Sequence, residues 1–191
     1  MLLEPMAPDV LVWLVNEWGT VPRTEAGEED RAYPDTELLA GLLSGSGVRD
    51  CPPEVLTRDA LTRVADRLHP VFATPDPAAR VSLTARLLSD TGVTPALDLT
   101  GDGPQATWQV DDDRQVLTAA AALTLRDQLA TSDPDRIGTC TGRRCADAYI
   151  DASPAGQRRF CSVTCQNRAR VAAWRQRQRA TTVTTVGSSA S

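Results

Sequence analysis

Apolar residues first gather in a run at Val10–Val15, then recur at helical spacing, and later alternate in two short stretches before a long Ala-rich segment. Val10–Trp18 follows Asp9, an N-cap residue type, and reads as a short buried helix. So short a run leaves a buried strand open as well. Residues Val21–Tyr33 are polar and acidic and read as a loop. Thr36 caps a helix over Glu37–Leu43, which Gly45-Ser46-Gly47 ends. Pro53 opens a helix carrying Leu61, Val64 and Leu68, with His69 at its end before Pro70. Asp76-Pro77 puts a cap and an N1 proline in order. That helix turns Val81, Leu87 and Leu88 inward and stops at Gly92.

Ala96–Leu99 and Ala106–Val110 flank Thr100-Gly101-Asp102-Gly103-Pro104, which predicts a β-hairpin. Asp112 or Asp113 then caps a longer Ala-rich helix to about Ala130, and Ser132-Asp133-Pro134 breaks it. The expected body is α+β, mostly helical with one hairpin, over residues 8–133. The Thr/Ser/Gly-rich stretch 181–191 has nothing to bury and reads as a disordered tail.

Charge divides the 191 residues unevenly. Met1–Thr139 holds 11 Arg against 23 acidic residues, whereas Cys140–Ser191 holds 9 Arg against Asp147 and Asp151 alone. An acidic body with a basic end suggests nucleic-acid contact at that end. A basic helix docked on the chain's own acidic body is the competing account. The longest apolar run is too short to span a bilayer. The first residues carry Glu4 and Asp9 with no basic residue ahead of the apolar run. A cytoplasmic protein is therefore expected, nucleoid-associated if it binds DNA.

Four of the five cysteines fall close together, as Cys140-x4-Cys145 and Cys161-x3-Cys165. In a cytosolic chain such clusters are metal ligands more often than disulfides. Each pair supplies two thiolates from one turn. Four thiolates at about 2.3 Å make a closed tetrahedral zinc site with no position for water, so a structural ion is expected, not a catalytic one. The segment 136–180 is too small to fold on its few large apolar residues. Zinc binding worth roughly 10–16 kcal/mol would supply the difference. Cys51, beside Pro52, reads as an inert thiol.

After Cys165 a helix begins. At about 100° per residue, Arg168, Arg175 and Arg179 share one stripe, while Arg170 and Arg177 share another roughly opposite. Val171 and Trp174 lie between and are placed to pack on the zinc knuckle. Arg143, Arg144, Arg158 and Arg159 sit beside the knuckles, where they would face phosphates. Asn167 is a candidate for a polar or base contact.

The segment Arg136–Arg179 resembles the CGNR zinc finger. Cys140, Cys145, Cys161 and Cys165 match its four ligands, Asp151-Ala152-Ser153 its Asp-x-Ser, and Arg159-Phe160-Cys161-Ser162 its Arg-Trp-Cys-Ser. Asn167 and Arg168 match the end of the signature. Gln166 replaces the signature glycine, so this turn either carries a strained left-handed residue or is simply helical. In that family the finger usually follows an ABATE domain, described as a stress-induced transcription regulator. Leu14-Val15-Asn16 is similar to that domain's early Val-Asn-Thr. The resemblance implies a zinc-containing DNA-binding transcriptional regulator whose N-terminal domain senses a ligand or partner, with a small-molecule effector and a homodimer as further expectations. The alternative is a zinc-stapled protein–protein interaction module that binds no DNA.

No enzyme is expected. His69 is the single histidine, no nucleophile elbow accompanies it, and its place at a helix end suits a cation. Trp13, Trp18 and Trp108 read as core, with Asn16 as a polar group between two of them. Asp111-Asp112-Asp113 reads as a capping run.

Overall fold

The computed structural model describes the backbone of residues 1–186 apart from Ser46, Arg49, Asp50, Gly101 and Asp102; the side chains of Thr100 and of residues 179–186 lie outside the description. Seven α-helices are described: α1 (Pro8–Trp18), α2 (Thr20–Ala26), α3 (Thr36–Ser44), α4 (Arg58–Ala73), α5 (Pro77–Thr91), α6 (Val116–Thr131) and α7 (Val163–Val186). A three-stranded antiparallel sheet is formed by β1 (Leu2–Leu3), β2 (Thr94–Thr100) and β3 (Gly103–Gln109), in the order β1-β3-β2. A second hairpin pairs β4 (Ile137–Thr139) with β5 (Ala148–Ile150), Gly138 opposite Tyr149. The chain is α+β and mostly helical, as its pattern predicts.

The Ala-rich helix is the centre of the body. Val116 to Leu125 is buried throughout α6, which packs against α1, α4 and α5. Small side chains let these helices approach closely, and a stretch apolar on nearly every side belongs in an interior. Around it, Leu11, Leu14, Trp18, Leu61, Leu68 and Phe72 complete the core.

Several boundaries differ from the sequence pattern, each for a physical reason. The first helix starts at Pro8, so Asp9 lies inside the first turn and Ala7 is the cap. The expected loop after Trp18 opens with α2. The Asp66 carboxylate on α4 captures the Thr20 amide at 2.7 Å and the Thr20 hydroxyl at 2.6 Å, satisfying donors that a helix start leaves open. Gly27, with φ of 71°, ends α2 in the left-handed conformation. Arg23 is buried there. Its guanidinium donates to the carbonyls of Glu17, Glu28 and Arg31 and lies 4.0 Å from the Tyr33 ring centre.

The helix expected from Pro53 begins instead as a 3-10 turn, and α4 proper is capped by the Thr57 hydroxyl. It runs through Pro70, so His69 is an interior helix residue and not a terminal cation. An interior proline costs about 3 kcal/mol. Val71 and Phe72, buried beyond it, together return about 3–6 kcal/mol, so the helix continues. On α5 the Asp76 cap and the Gly92 stop are as expected, and Leu87 is inward, but Val81 is 51% exposed. The first sheet gains a strand from Leu2–Leu3, too short for alternation to signal. The cap of the 3-10 turn before α6 is Asp112. At the other end, α7 runs to Val186, past the expected start of the tail at 181; residues 187–191 of that expected tail lie outside the described residues.

Candidate metal centre

The C-terminal segment is built by hydrogen bonds that fold it around its cysteines. The Cys140 amide donates to the Asp147 carbonyl at 2.8 Å, so the first knuckle is the turn of the β4–β5 hairpin. Within it Arg144 adopts φ of 57°. Gly142 sends its amide toward the Cys140 sulfur at 3.4 Å, and a Cβ there would stand 3.2 Å from that sulfur and 3.6 Å from the Cys165 sulfur. A side chain there would press on the Cys140 sulfur, which would have to give by a few tenths of an ångström.

After β5, Asp151 reverses the chain. One carboxylate oxygen accepts from the Ser153 amide at 2.9 Å and the other from the Arg158 amide at 2.8 Å. The Ser153 and Arg158 donors hold this buried carboxyl below its usual range. Arg136 braces the same turn, donating to the carbonyls of Asp151 at 3.1 Å and Ser153 at 2.6 Å. The second knuckle is tied to the first through Thr141, whose amide and hydroxyl both reach the Arg159 carbonyl at 3.0 Å.

Ser162 then caps α7, its hydroxyl accepting from the Cys165 amide at 3.2 Å. The Gln166 amide donates to the Ser162 carbonyl at 3.1 Å. This is the first helical bond of α7, and Gln166 has no positive φ. The position is therefore helical and accepts glutamine without strain.

The four sulfurs of Cys140, Cys145, Cys161 and Cys165 lie within 4.8 Å of one another. Cys145 and Cys161 are separated by 3.7 Å, and Cys161 and Cys165 by 3.6 Å. Thiolates about 2.3 Å from a tetrahedral ion stand about 3.8 Å apart, whereas a disulfide needs about 2.05 Å. The donor set and its spacing fit one zinc ion, held by these four residues, and four thiolates fill the coordination shell. Burial pushes the Cys145 thiol up to about 12 and raises Cys161 as well. At Cys140 burial is outweighed by the amides of Cys161 and Gly142, which lower it. Cys51 is separate from the cluster, half-buried, and burial raises its thiol to about 11, consistent with an inert group.

The body grips this segment through polar groups. Asn16 on α1 brackets one residue of β5, accepting from the Ala148 amide at 2.7 Å and donating to the Ala148 carbonyl at 3.1 Å. His69 on α4 is buried, with Nε2 2.9 Å from the Ala146 carbonyl. A carbonyl can only accept, so Nε2 carries the proton. Arg80, also buried, donates to Val71 and Thr74 at the end of α4 and to Pro134 at the entry to the segment. Ile137 and Ala148 belong to the main core. The sequence singles out Asn16 and His69 but not their partners, because the targets of this clamp are backbone atoms.

The arginines fall into distinct places. Arg143, Arg144 and Arg159 are exposed around the knuckles; Arg168, Arg170, Arg175 and Arg177 are exposed along α7 with Asn167. The side chain of Arg179 lies outside the described residues. Arg158 is exposed as well, and its guanidinium also donates to the carbonyls of Phe160 at 2.9 Å, Ile150 at 3.4 Å and Cys161, which shapes the second knuckle. Val171 and Trp174 correct the sequence pattern. They do not pack on the knuckle, being 46% and 55% exposed. The half-buried side of α7 is Gln166, Ala169 and Ala173.

No helix among the described residues is long and apolar enough to cross a membrane. Residues 136–178 match the CGNR zinc finger family. No curated protein matches the chain.

Proposed function

We propose that this protein, whose residues 136–178 match the CGNR zinc finger family, is a DNA-binding transcriptional regulator, its finger contacting DNA and its helical body sensing a ligand or partner. One observation carries this reading: six arginines of the finger are exposed, and none of them is ion-paired with an acid of the body among the described residues. Arg143, Arg144, Arg159, Arg168, Arg170 and Arg175 are exposed. The ion pairs among the described residues, such as Arg67–Asp90 and Arg126–Asp127, lie within the body. A basic helix serving only as internal ballast would spend its charge on those acids. Zinc supplies the rigid fold, and α7 presents guanidiniums that suit phosphate oxygens.

A cleft of about 750 Å³ supports the sensing role. It lies between α1 and the first knuckle, lined by Val12, Trp13, Glu17, Arg144, Asp147 and Arg168 among others. That size suits a small molecule. Arg144 and Arg168 belong to both the cleft and the basic surface, so a bound effector would act directly on groups that meet DNA.

The reading is tested by binding of the zinc-loaded full chain to duplex DNA across a salt series. Phosphate contacts give a linear fall in log affinity with log salt, about −0.9 per contact. The double variant Arg168→Gln/Arg175→Gln is expected to reduce the slope by about 1.8. Absence of binding at low salt would sink the proposal in favour of a protein-binding finger.

A further inference from the structure

The outward side of α7 holds a second pattern between its arginines. With Gln166, Ala169 and Ala173 half-buried, the opposite side presents Asn167, Val171, Trp174 and Gln178, all exposed. These follow each other at i, i+4, i+7 and i+11, a continuous stripe on a helix. Arg168 and Arg175 border the stripe on one edge, Arg170 and Arg177 on the other. An exposed tryptophan and valine at the centre of a basic helix call for an occupant. Another α7 is a poor one, since Val163–Val186 contains no acidic residue and two such helices would bring arginine against arginine.

Resting on the DNA-binding reading above, we propose that this stripe reads A·T base pairs in the major groove. The groove admits one α-helix, and the arginine rows on either side of the stripe meet the phosphates along its two walls. The stripe itself then faces the base edges. Its four residues have one chemistry in common. Asn and Gln side chains pair bidentately with the N6 and N7 positions of adenine, and apolar side chains contact the C5-methyl of thymine. No acid that would accept from cytosine stands in the stripe. From Asn167 to Gln178 the helix rises about 17 Å, the length of about five base-pair steps. Trp174 is thus a specificity-determining residue, while the arginines supply most of the affinity.

The test measures fluorescence anisotropy of three labelled duplexes with the zinc-loaded full chain: alternating A·T, the same duplex with deoxyuridine for thymine, and G·C. The A·T duplex is expected to bind about tenfold more tightly than G·C, and loss of the thymine methyl to cost about threefold. Trp174→Ala should weaken A·T binding about tenfold, leave the salt slope unchanged and abolish the difference between thymine and deoxyuridine. Trp174→Phe should retain that difference. Trp174 is exposed, so its removal takes nothing from a core, and zinc content and circular dichroism should match the parent. Equal affinity for all three duplexes, indifference to the methyl, or an unchanged Trp174→Ala variant would overturn the stripe's role while leaving phosphate binding intact. Failure to bind any duplex would overturn both.

Discussion

Removal of zinc by a chelator is expected to unfold the segment from Cys140 through α7 while the helical body remains folded. The large, fully buried side chains all belong to the body, among them Trp18, Phe72, Leu117 and Leu125. From Cys140 on, the buried groups among the described residues are few: Ala148, Tyr149, Asp151 and the cysteines Cys140 and Cys165. Val163, Val171 and Trp174 are exposed and contribute little burial. Against an ordering cost of about 1–2 kcal/mol per residue for the backbone, hydrophobic burial falls short. A structural zinc ion contributes roughly 10–16 kcal/mol in comparable small fingers. Chelation should therefore abolish the helical signal of α7 in circular dichroism, and native mass spectrometry should find one zinc per chain before treatment. Cys165→Ser should bind zinc weakly and behave like the chelated protein. Unchanged helicity after complete removal of zinc would refute the assignment.

Acid should have the same effect as the chelator. The half-buried thiols of Cys145 and Cys161, raised by desolvation, Cys145 to about 12, keep their protons at neutral pH. Zinc must displace those protons. Apparent zinc affinity thus rises with pH and falls with acid, by up to about tenfold per pH unit for each proton displaced.

Arg80→Met is expected to destabilise the whole protein by about 3–5 kcal/mol, a drop in melting temperature of about 10 °C for a chain of this length. Arg80 is buried and gathers three carbonyls: Val71 at 3.1 Å, Thr74 at 2.7 Å, and Pro134. The first two are among the carbonyls that a helix C-terminus leaves without partners. Hydrogen bonds from a charged donor contribute about 1.5–3 kcal/mol each. Methionine restores some apolar packing and avoids the cost of burying a cation, which is why the net loss is smaller than three such bonds. Arg80→Lys should rescue little, because a compact ammonium lacks the planar fork that reaches three directions at once. A methionine variant that unfolds within 1–2 °C of the parent would contradict this role.

The metal centre is legible in the sequence because metal ligation uses rare residue types in short, fixed spacings. Cys140, Cys145, Cys161 and Cys165 converge as their spacing predicts. The central helix is legible for a similar reason, since Val116–Leu125 is apolar but for Thr118 and Thr124. Elements held by tertiary contacts are not. Nothing local in Thr20–Ala26 declares a helix, because its start is stabilised by Asp66 from a distant part of the chain. Pro70 argues for a helix end until the burial of Val71 and Phe72 is weighed against it. Arg158 shares the sequence signature of a phosphate-facing arginine, yet its carbonyl partners appear only once the knuckle is folded. The same limit applies to Trp174: helical periodicity locates its stripe, but which side of α7 is covered depends on the finger's own packing.

The two indoles of α1 give the protein an intrinsic optical probe. Trp13 and Trp18 meet edge to face, with ring centres 4.9 Å apart and planes 77° from parallel. Trp18 is sealed in the core, whereas Trp13 lines the cleft beside the finger. Rings so close share their electronic transitions, and the resulting exciton couplet in circular dichroism depends on their mutual angle. A molecule entering the cleft and turning Trp13 would alter that couplet, while DNA bound along α7 would report through the exposed indole of Trp174. The chain therefore carries separate, label-free signals for its two proposed ligands.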